Sequence, residues 1–554
     1  MKKIFFSLCV LFCFNLFAAP VEKMNISVFT LQTGKQPPAD NKTYKWIEEK
    51  FGITFSWDIL TGKKETAIKR LISSMDLPDL VEVDSEKFQK AGCLRDLKPL
   101  IEKYCPNLMK HYNSVWEQMI YADSEKDSKG NIVKEHIYSL PKYGVYDGIP
   151  SDTYYNSHAW WIQKAVLKEF GYPVIKTVDQ YFDLLEAYYL KYPLIDGKQT
   201  IPFSIITAAW EAYNLWNPPG FLGGYPNDGN GHVELIKGKY VFKDNYTDEN
   251  ARRWFTLANG YFQRGLIDPE SFTDNRNQYY TKIVQGRVLG MFLQGWELGA
   301  FTGSTNGPVE KNYVPLALTF DENIKPHYRD RPLPGLQNGY GITVKCSEAK
   351  AIKILQFMDA MLEEENQIIL YWGFENEDWQ KDAYGRPYRT QTQITQQNTA
   401  EWILQNRAKY WAEEAPKLEG RMPDGYTRYM DELPWEYARF QEASDLELWA
   451  AYGVNSNTEL MDPAPPENPG WYPMWKCEPL EQNGGREEEA AVALNGFEII
   501  MRKYLPQLIT CKPEDFNKTW DEYCRLFKPF TDSYNEYMQS QLDKRIELFG
   551  GISE

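Results

Sequence analysis

Histidine is scarce in this chain: there are five, His111, His136, His158, His232 and His327. They are dispersed so that no H-E-x-x-H or H-x-x-E-H pair forms, which leaves a histidine-held metal or a histidine-based catalytic triad without support. Cysteine is nearly as sparse. Of the eight, Cys9 and Cys13 sit in the opening apolar stretch, leaving Cys93, Cys105, Cys346, Cys477, Cys511 and Cys524 for the rest of the chain. That density excludes a disulfide scaffold, and no C-x-x-C spacing exists to seed a thiolate zinc cluster. Cys93 with Cys105, and Cys511 with Cys524, are near enough in sequence to pair; equally, each is a small buried hydrophobe. The chain also lacks G-x-S-x-G, the G-x-x-x-x-G-K-[ST] phosphate loop, and G-x-G-x-x-G after its first strand, so serine hydrolase, P-loop NTPase and dinucleotide oxidoreductase readings fall together. Positive charge is in deficit, 61 Lys and Arg against 77 Asp and Glu, for a formal net charge of -16. Such a surface repels a phosphate backbone, and nucleic acid is excluded as a partner.

Aromatic residues, by contrast, are abundant: 28 Phe, 18 Trp and 37 Tyr, 15% of the chain, more than a core requires. Flat apolar faces with polar rims suit sugars. The length, 554 residues, allows two to four folding units at roughly 150 residues each. A composition of 43% hydrophobic and 25% charged residues without low-complexity tracts is that of an ordinary globular protein. The first nineteen residues, MKKIFFSLCVLFCFNLFAA, carry two lysines, an apolar run from Ile4 to Phe17, and small residues Ala18 and Ala19. This is the pattern of a secretory signal peptide, residues 1–19, and its apolar run is shorter than the ~20 residues of a membrane-spanning helix. The mature chain is therefore expected at the periplasmic or extracellular face of the cell envelope. Leu8 and Phe12 precede Cys9 and Cys13 where a lipid-anchoring site would place a small residue, so there is no clear lipobox.

Along the chain, MNISVFTL (24–31) reads as a strand, NKTYKWIEEKFG (41–52) as a helix closed by Gly52, ITFSWDIL (53–60) as a strand and KKETAIKRLISSM (63–75) as a helix. Pro78 then stops the helix and LVEV begins a third strand. This β-α-β-α-β order opens an α/β lobe of the doubly wound type. Helices are expected over 159–171, 177–192 and 250–265, and KIVQGRVLGMFLQGW (282–296) reads as a helix ending near Gly286 followed by a strand. From about residue 400 the pattern is helical, interrupted by the Pro-rich connection PAPPENPGWYP (463–473).

The order of segments resembles the extracellular solute-binding proteins of family 1, in particular the large carbohydrate binders of ABC importers similar to alginate-oligosaccharide and lipoprotein-type binding proteins. The carriers are LISSMDLPDLVEVD (71–84), DLKPLIEKYCPNL (96–108), HIYSLPKY (136–143), WWIQKAVLKEFGYPVIKTVDQYFDLLEAY (160–188), RGLIDPESF (264–272), QGRVLGMFLQGW (285–296) and NGYGITVKCSEAKAIKILQFMDAMLEEENQIILYWGFENEDW (338–379), together with the opening strand and helix. The resemblance implies a two-lobe periplasmic-binding-protein fold of class II type, with doubly wound sheets joined by a hinge. Lobe 1 would comprise 20–140 and 335–375, and lobe 2 would comprise 141–334 and 376–554 with a helix-rich C-terminal extension that lengthens the ligand cleft. The chain would cross between lobes near Ser139 to Val145, Pro334 to Tyr340 and Gly373 to Trp379. The implied function is capture of a carbohydrate in an interlobe cleft and its delivery to an ABC transporter permease, by a monomer and without catalysis.

A sugar stacks its C–H face on an aromatic plane, and its hydroxyls seek charged or amide partners beside that plane. At strand ends and crossings, the expected ligand contacts are Trp296, at the position where the resemblance implies a stacking tryptophan, and Tyr143, Tyr146 and Tyr340. Asp84 follows the LVEV strand and either accepts sugar hydroxyls or caps the next helix. Trp161, Trp210 and Trp372 complete the set, while Trp46 and Trp254 read as core residues. Many relatives carry a calcium loop where this chain reads KYPLIDGKQTIPF (191–203), whose single carboxylate, Asp196, cannot supply the six to eight oxygens calcium takes. No calcium is expected there, and no cofactor is implied. The rival reading is a secreted glycoside hydrolase or polysaccharide lyase, for which Glu211 beside Trp210 and Glu297 beside Trp296 are the first suspects, each also explained as a solvated or capping residue. A sensory subunit that reports its bound state to a receptor would share every sequence feature.

Overall fold

The computed structural model describes residues 23–83, 87–127, 132–149, 153, 155–226, 229–302, 311–329, 335–439, 441–463, 468–477, 479 and 485–550. The expected signal peptide and Asp84 lie outside the described residues. The chain divides into two units, Met1–Ile149 with Pro334–Met430, and Pro150–Leu333 with Asp431–Glu554.

In chain order the main elements are β1 (Met24–Thr30), α1 (Lys42–Phe51), β2 (Ile53–Ile59), α2 (Lys64–Ser74), β3 (Leu80–Glu82), β4 (His158–Gln163), α3 (Val178–Lys191), β5 (Ile201–Phe203), α4 (Glu249–Gln263), α5 (Arg276–Val284), β6 (Val288–Gln294), α6 (Gly295–Thr302), β7 (Tyr313–Leu316), β8 (Tyr340–Ile342), α7 (Glu348–Met361), α8 (Gly485–Thr510) and α9 (Phe516–Phe549). Several boundaries follow from the capping chemistry of the sequence. Asn41 accepts the Tyr44 N–H at 2.9 Å to start α1, and Gly52, at φ 69°, closes it in the left-handed conformation that glycine tolerates. Thr177 and Gln180 form a reciprocal capping box at the start of α3.

The first unit is built on a sheet of order β8-β3-β1-β2. Its β1 runs parallel to β2 and β3, and β8 returns antiparallel to β3. Phe29, Ile68, Leu71, Val81 and Phe88 fill the side of this sheet covered by α2. On its other side Trp411 packs its ring against Phe55 at 5.2 Å and Phe357 at 4.9 Å. Thr43 donates to the Asn406 carbonyl, and the Asn41 amide donates to those of Leu404 and Arg407. Residues 376–430, assigned from sequence to the second lobe, are thus held in the first unit, and the chain leaves it at Met430. Helical periodicity over this stretch identifies helices but not the sheet they cover.

The second unit has a mixed sheet of order β5-β6-β4-β7, with β5 parallel to β6 and with β4 antiparallel to both β6 and β7. The segment 159–171 differs from the expected helix: HAWWIQ is strand β4, buried along its whole length, and only Lys164–Glu169 is helical. An apolar run covered on both faces has no alternation to mark it as a strand, and its spacing mimics a helix face. The C-terminal helices α8 and α9 are not an outlying layer. Phe497, Leu505, Leu508, Tyr523, Phe527 and Leu542 belong to the same apolar core as Trp160, Phe203 and Trp254. All six cysteines among the described residues are free thiols, including those that sequence spacing leaves open to pairing.

Candidate functional site

A row of aromatic rings on the second unit brings together two of the residues singled out from sequence. Trp296 and Trp210 stack nearly parallel, 5.6 Å between centroids at 6°, and Trp210 continues onto Tyr213 at 5.9 Å and 21°. The two indoles are 43% and 53% exposed, unusual for tryptophans in a chain that buries most of its large aromatics.

Each end of the row is held by specific contacts. Strand β6 delivers Gln294, and the backbone turns at once into α6. Gly295 sits so close to the neighbouring chain that a Cβ there would meet the Tyr155 carbonyl oxygen at 2.7 Å, and its N–H donates to Ser157 O at 2.9 Å. The Trp296 indole N–H donates to Gln294 Oε1, while the amide of the same Gln294 lies 3.1 Å from His158 Nε2. Burial pushes His158 down to about 3, so the ring is neutral and its Nε2 accepts from Gln294. On the other side, Ala209 has φ 46°, a left-handed conformation costly for a residue with a Cβ. Arg502, from α8, donates to the carbonyl of Thr207 at 3.0 Å and to that of Ala209, and is itself held by Glu498 at 2.7 Å. The long C-terminal helix thus fixes the segment that presents Trp210.

Beside the row lie two carboxylates without exposed surface, Glu211 and Glu297. Glu211 Oε1 accepts from Arg276 Nε; Glu297 Oε2 accepts from the Tyr213 hydroxyl at 3.0 Å and the Gln294 N–H at 3.3 Å. The other oxygens, Glu211 Oε2 and Glu297 Oε1, have no hydrogen-bond partner, nor has Asn214 Oδ1. Burial, with a further push from the Glu211 charge, raises Glu297 to about 7, against the hydrogen bonds of Tyr213 and Gln294. Both glutamates are legible in sequence as neighbours of the tryptophans. Tyr213, Arg276 and Arg502 are not, because they reach the row across distances in sequence that no local spacing reveals.

The other candidates are placed differently. Trp161 is buried in β4 with its indole N–H on Leu293 O at 2.8 Å. Tyr340 and Trp372 are core residues of the first unit: the Tyr340 hydroxyl donates to Tyr410 O, and Trp372 stacks on Tyr426 and donates to Thr427 O. Large aromatics near strand ends are read equally well as core or as surface, and in these three the polar atom is already satisfied by backbone. Tyr146 packs edge-on against His111 and Tyr112 and donates to Tyr143 O. Tyr143 stays half-buried, with the Lys417 ammonium 4.6 Å from its ring centre and its hydroxyl 3.3 Å from Glu413.

In the segment 191–203, where no calcium is expected, Asp196 is exposed and pairs with Lys311 at 2.5 Å. Among the described residues the one carboxylate group spaced for a cation is Asp268, Glu270 and Asp274. The ammonium of Lys282 already stands in it, at 2.8, 2.7 and 2.6 Å.

The fold is similar to that of solved solute-binding proteins of ABC transporters, the fold that the resemblance read from sequence implies, and no helix among the described residues is long and apolar enough to cross a membrane. No family model matches the chain. In sequence, the chain is similar to FusA, a fructooligosaccharide ABC transporter substrate-binding protein of Streptococcus pneumoniae, at 28% identity over 298 residues; the match covers 51% of this chain and 52% of FusA. The chain thus spans about half the length of that curated relative. In structure, it is similar to FusA in complex with kestose, with a TM-score of 0.63 at 18% identity over 95% of this chain and 99% of that one. It is also similar to a human-milk-oligosaccharide-binding solute-binding protein of Bifidobacterium longum infantis, TM-score 0.60 at 15% identity over 95% and 99% of the two chains. The alginate-binding protein AlgQ2 without calcium ion follows at TM-score 0.56, 16% identity, over 94% and 98%.

Proposed function

We propose that this protein is an extracytoplasmic solute-binding protein that captures an oligosaccharide and hands it to the membrane permease of an ABC importer. The observation that carries the reading is the Trp296–Trp210–Tyr213 stack, in which two tryptophans keep about half of their surface open to a ligand and are fixed by hydrogen bonds around them. Its likeness in sequence to a fructooligosaccharide binder and in fold to several sugar binders supports the same ligand class. Trp296 and Trp210 are the stacking residues of this proposal. The protein is exported by its N-terminal signal, acts as a monomer, and couples to the permease through hinge closure on ligand.

The rival is a glycoside hydrolase using Glu211 and Glu297, of which Glu297 is raised by burial toward the range of a general acid. Neither glutamate has exposed surface, so neither reaches a glycosidic oxygen, and the binding reading is favoured.

Thermal unfolding of the mature chain against a panel of oligosaccharides, followed by chromatography of each sugar, separates the two. A ligand at ~1,000 times its dissociation constant adds about 4.1 kcal/mol to the folded state. The proposal expects a shift with the sugar intact, and a tenfold or greater loss of affinity in Trp296→Ala and Trp210→Ala. A shift with the sugar cleaved would move the assignment to the hydrolase.

A further inference from the structure

We propose that the aromatic row selects neutral oligosaccharides and rejects acidic ones, because the buried carboxylates of Glu211 and Glu297 adjoin it and, among the described residues, one guanidinium meets the pair, at Glu211. The inference rests on the sugar-binding reading of the same site and goes beyond it by naming the ligand's charge.

Two fully buried carboxylates occupy one cluster, and Arg276 is the cation that meets them, on Glu211. Among the described residues, the other groups shown against the pair are uncharged: the hydroxyls of Tyr213, Tyr279 and Tyr280 and the amide of Asn214. Each carboxylate keeps one oxygen unpartnered, so its charge is only half offset by hydrogen bonds. His158, beneath Gln294, is held neutral by burial and adds no positive charge. With both glutamates ionised, the cluster is a net anion in a low-dielectric surround, where charges interact more strongly than in water.

That anion is coupled to the row by short paths. Glu297 follows Trp296 in the chain and holds the Tyr213 hydroxyl; Glu211 follows Trp210. An aromatic face is the negative side of its quadrupole, and buried carboxylates next to the rings add to the negative potential there. The C–H face of a neutral sugar, positive at its hydrogens, gains from that potential. The carboxylate of a uronic acid loses, unless the site takes up a proton with the ligand. Glu297 is the group that would take it, since its carboxyl ionises only near neutrality.

The test compares neutral trisaccharides, kestose, maltotriose and galactotriose, with trigalacturonate, by titration calorimetry at pH 8, above the value at which Glu297 ionises. The expected result is at least tenfold tighter binding of the best neutral sugar than of trigalacturonate. The gap should narrow as salt rises from 20 to 500 mM, through a gain for the acidic ligand alone. Equal or tighter binding of trigalacturonate by the wild-type chain overturns the inference. Glu297→Gln should bring the two affinities closer; should that variant not fold, the salt series on the wild-type chain decides. Trp296→Ala separates the two levels of argument. If it abolishes binding while the wild-type chain takes trigalacturonate as well as galactotriose, the sugar-binding reading stands and the charge selection falls. If it leaves the affinity for neutral sugars unchanged, or if no sugar binds the wild-type chain, the site assignment itself fails and the inference with it.

Discussion

Glu297 is a carboxyl group with no exposed surface, two hydrogen bonds on one oxygen and none on the other. Burial raises it from 4.5 to about 7, so between those values the folded chain holds a proton that the unfolded chain has released. Stability must then fall as pH rises from about 4.5 to 7 and level off above, by on the order of 1–3 kcal/mol from this residue. Urea unfolding of wild type and Glu297→Gln at pH 5 and pH 7.5 measures it: the variant should gain on the wild type as pH rises, and a constant difference would refute the assignment. Lys282 presents the opposite case. Its ammonium is buried, which opposes the charge, yet three carboxylates outweigh that and hold its pKa above the ordinary lysine value. Lys282→Met leaves Asp268 and Asp274 buried without a counter-charge and should cost about 3–5 kcal/mol in the same unfolding measurement. A loss under 1 kcal/mol would mean that water reaches the carboxylates.

The elements of the site depend on one another through contacts far apart in sequence. Helix α8 has a role that its own pattern does not announce, since Arg502 reaches two carbonyls of the strained segment ahead of Trp210. Removing it in Arg502→Ala should release that segment, weaken sugar binding about tenfold, and change the near-ultraviolet circular dichroism of the stacked indoles, while the melting temperature drops by only a few degrees. Unaltered affinity and dichroism would mean that the segment holds its shape without the clamp. The same distinction between local and distant information explains what the sequence made readable. Strands β1, β2 and β3 and helices α1, α2 and α3 lie where alternation, Asn41, Gly52 and Thr177 place them, because those signals act over a few residues. Trp210 and Trp296 with their adjacent glutamates were legible for the same reason. Strand β4 was not, since burial on both faces erased its period, and the burial of Trp161, Tyr340 and Trp372 depends on which sheet face each meets. Nor could spacing reveal that Glu297 meets Tyr213 or that Glu211 meets Arg276.

At the scale of the molecule, the division into two units is unequal in its dependence on the C-terminus. All four strands of the first sheet, β8, β3, β1 and β2, precede residue 343, and residues up to Met430 complete that unit. The second sheet also lies before residue 317, but its core does not: Phe497, Leu505, Leu508, Tyr523, Phe527 and Leu542 from α8 and α9 are buried against it. The Asn259 amide, on α4, ties the end of α8 by donating to the carbonyls of Leu508, Ile509 and Cys511. Six such side chains, at roughly 1.5–3 kcal/mol each, are as large as the whole net stability of order 5–15 kcal/mol. A chain ending at Met430 should therefore keep the first unit folded and lose the second. Calorimetry should show the unfolding enthalpy reduced to that of the first unit, and oligosaccharides that stabilise the full-length protein should no longer shift the transition. If the truncated chain instead keeps the full enthalpy per residue and still responds to sugar, the C-terminal helices are an appendage and the aromatic row stands without Arg502. Loss of both together would establish that the helical C-terminus is a structural half of the sugar-binding unit.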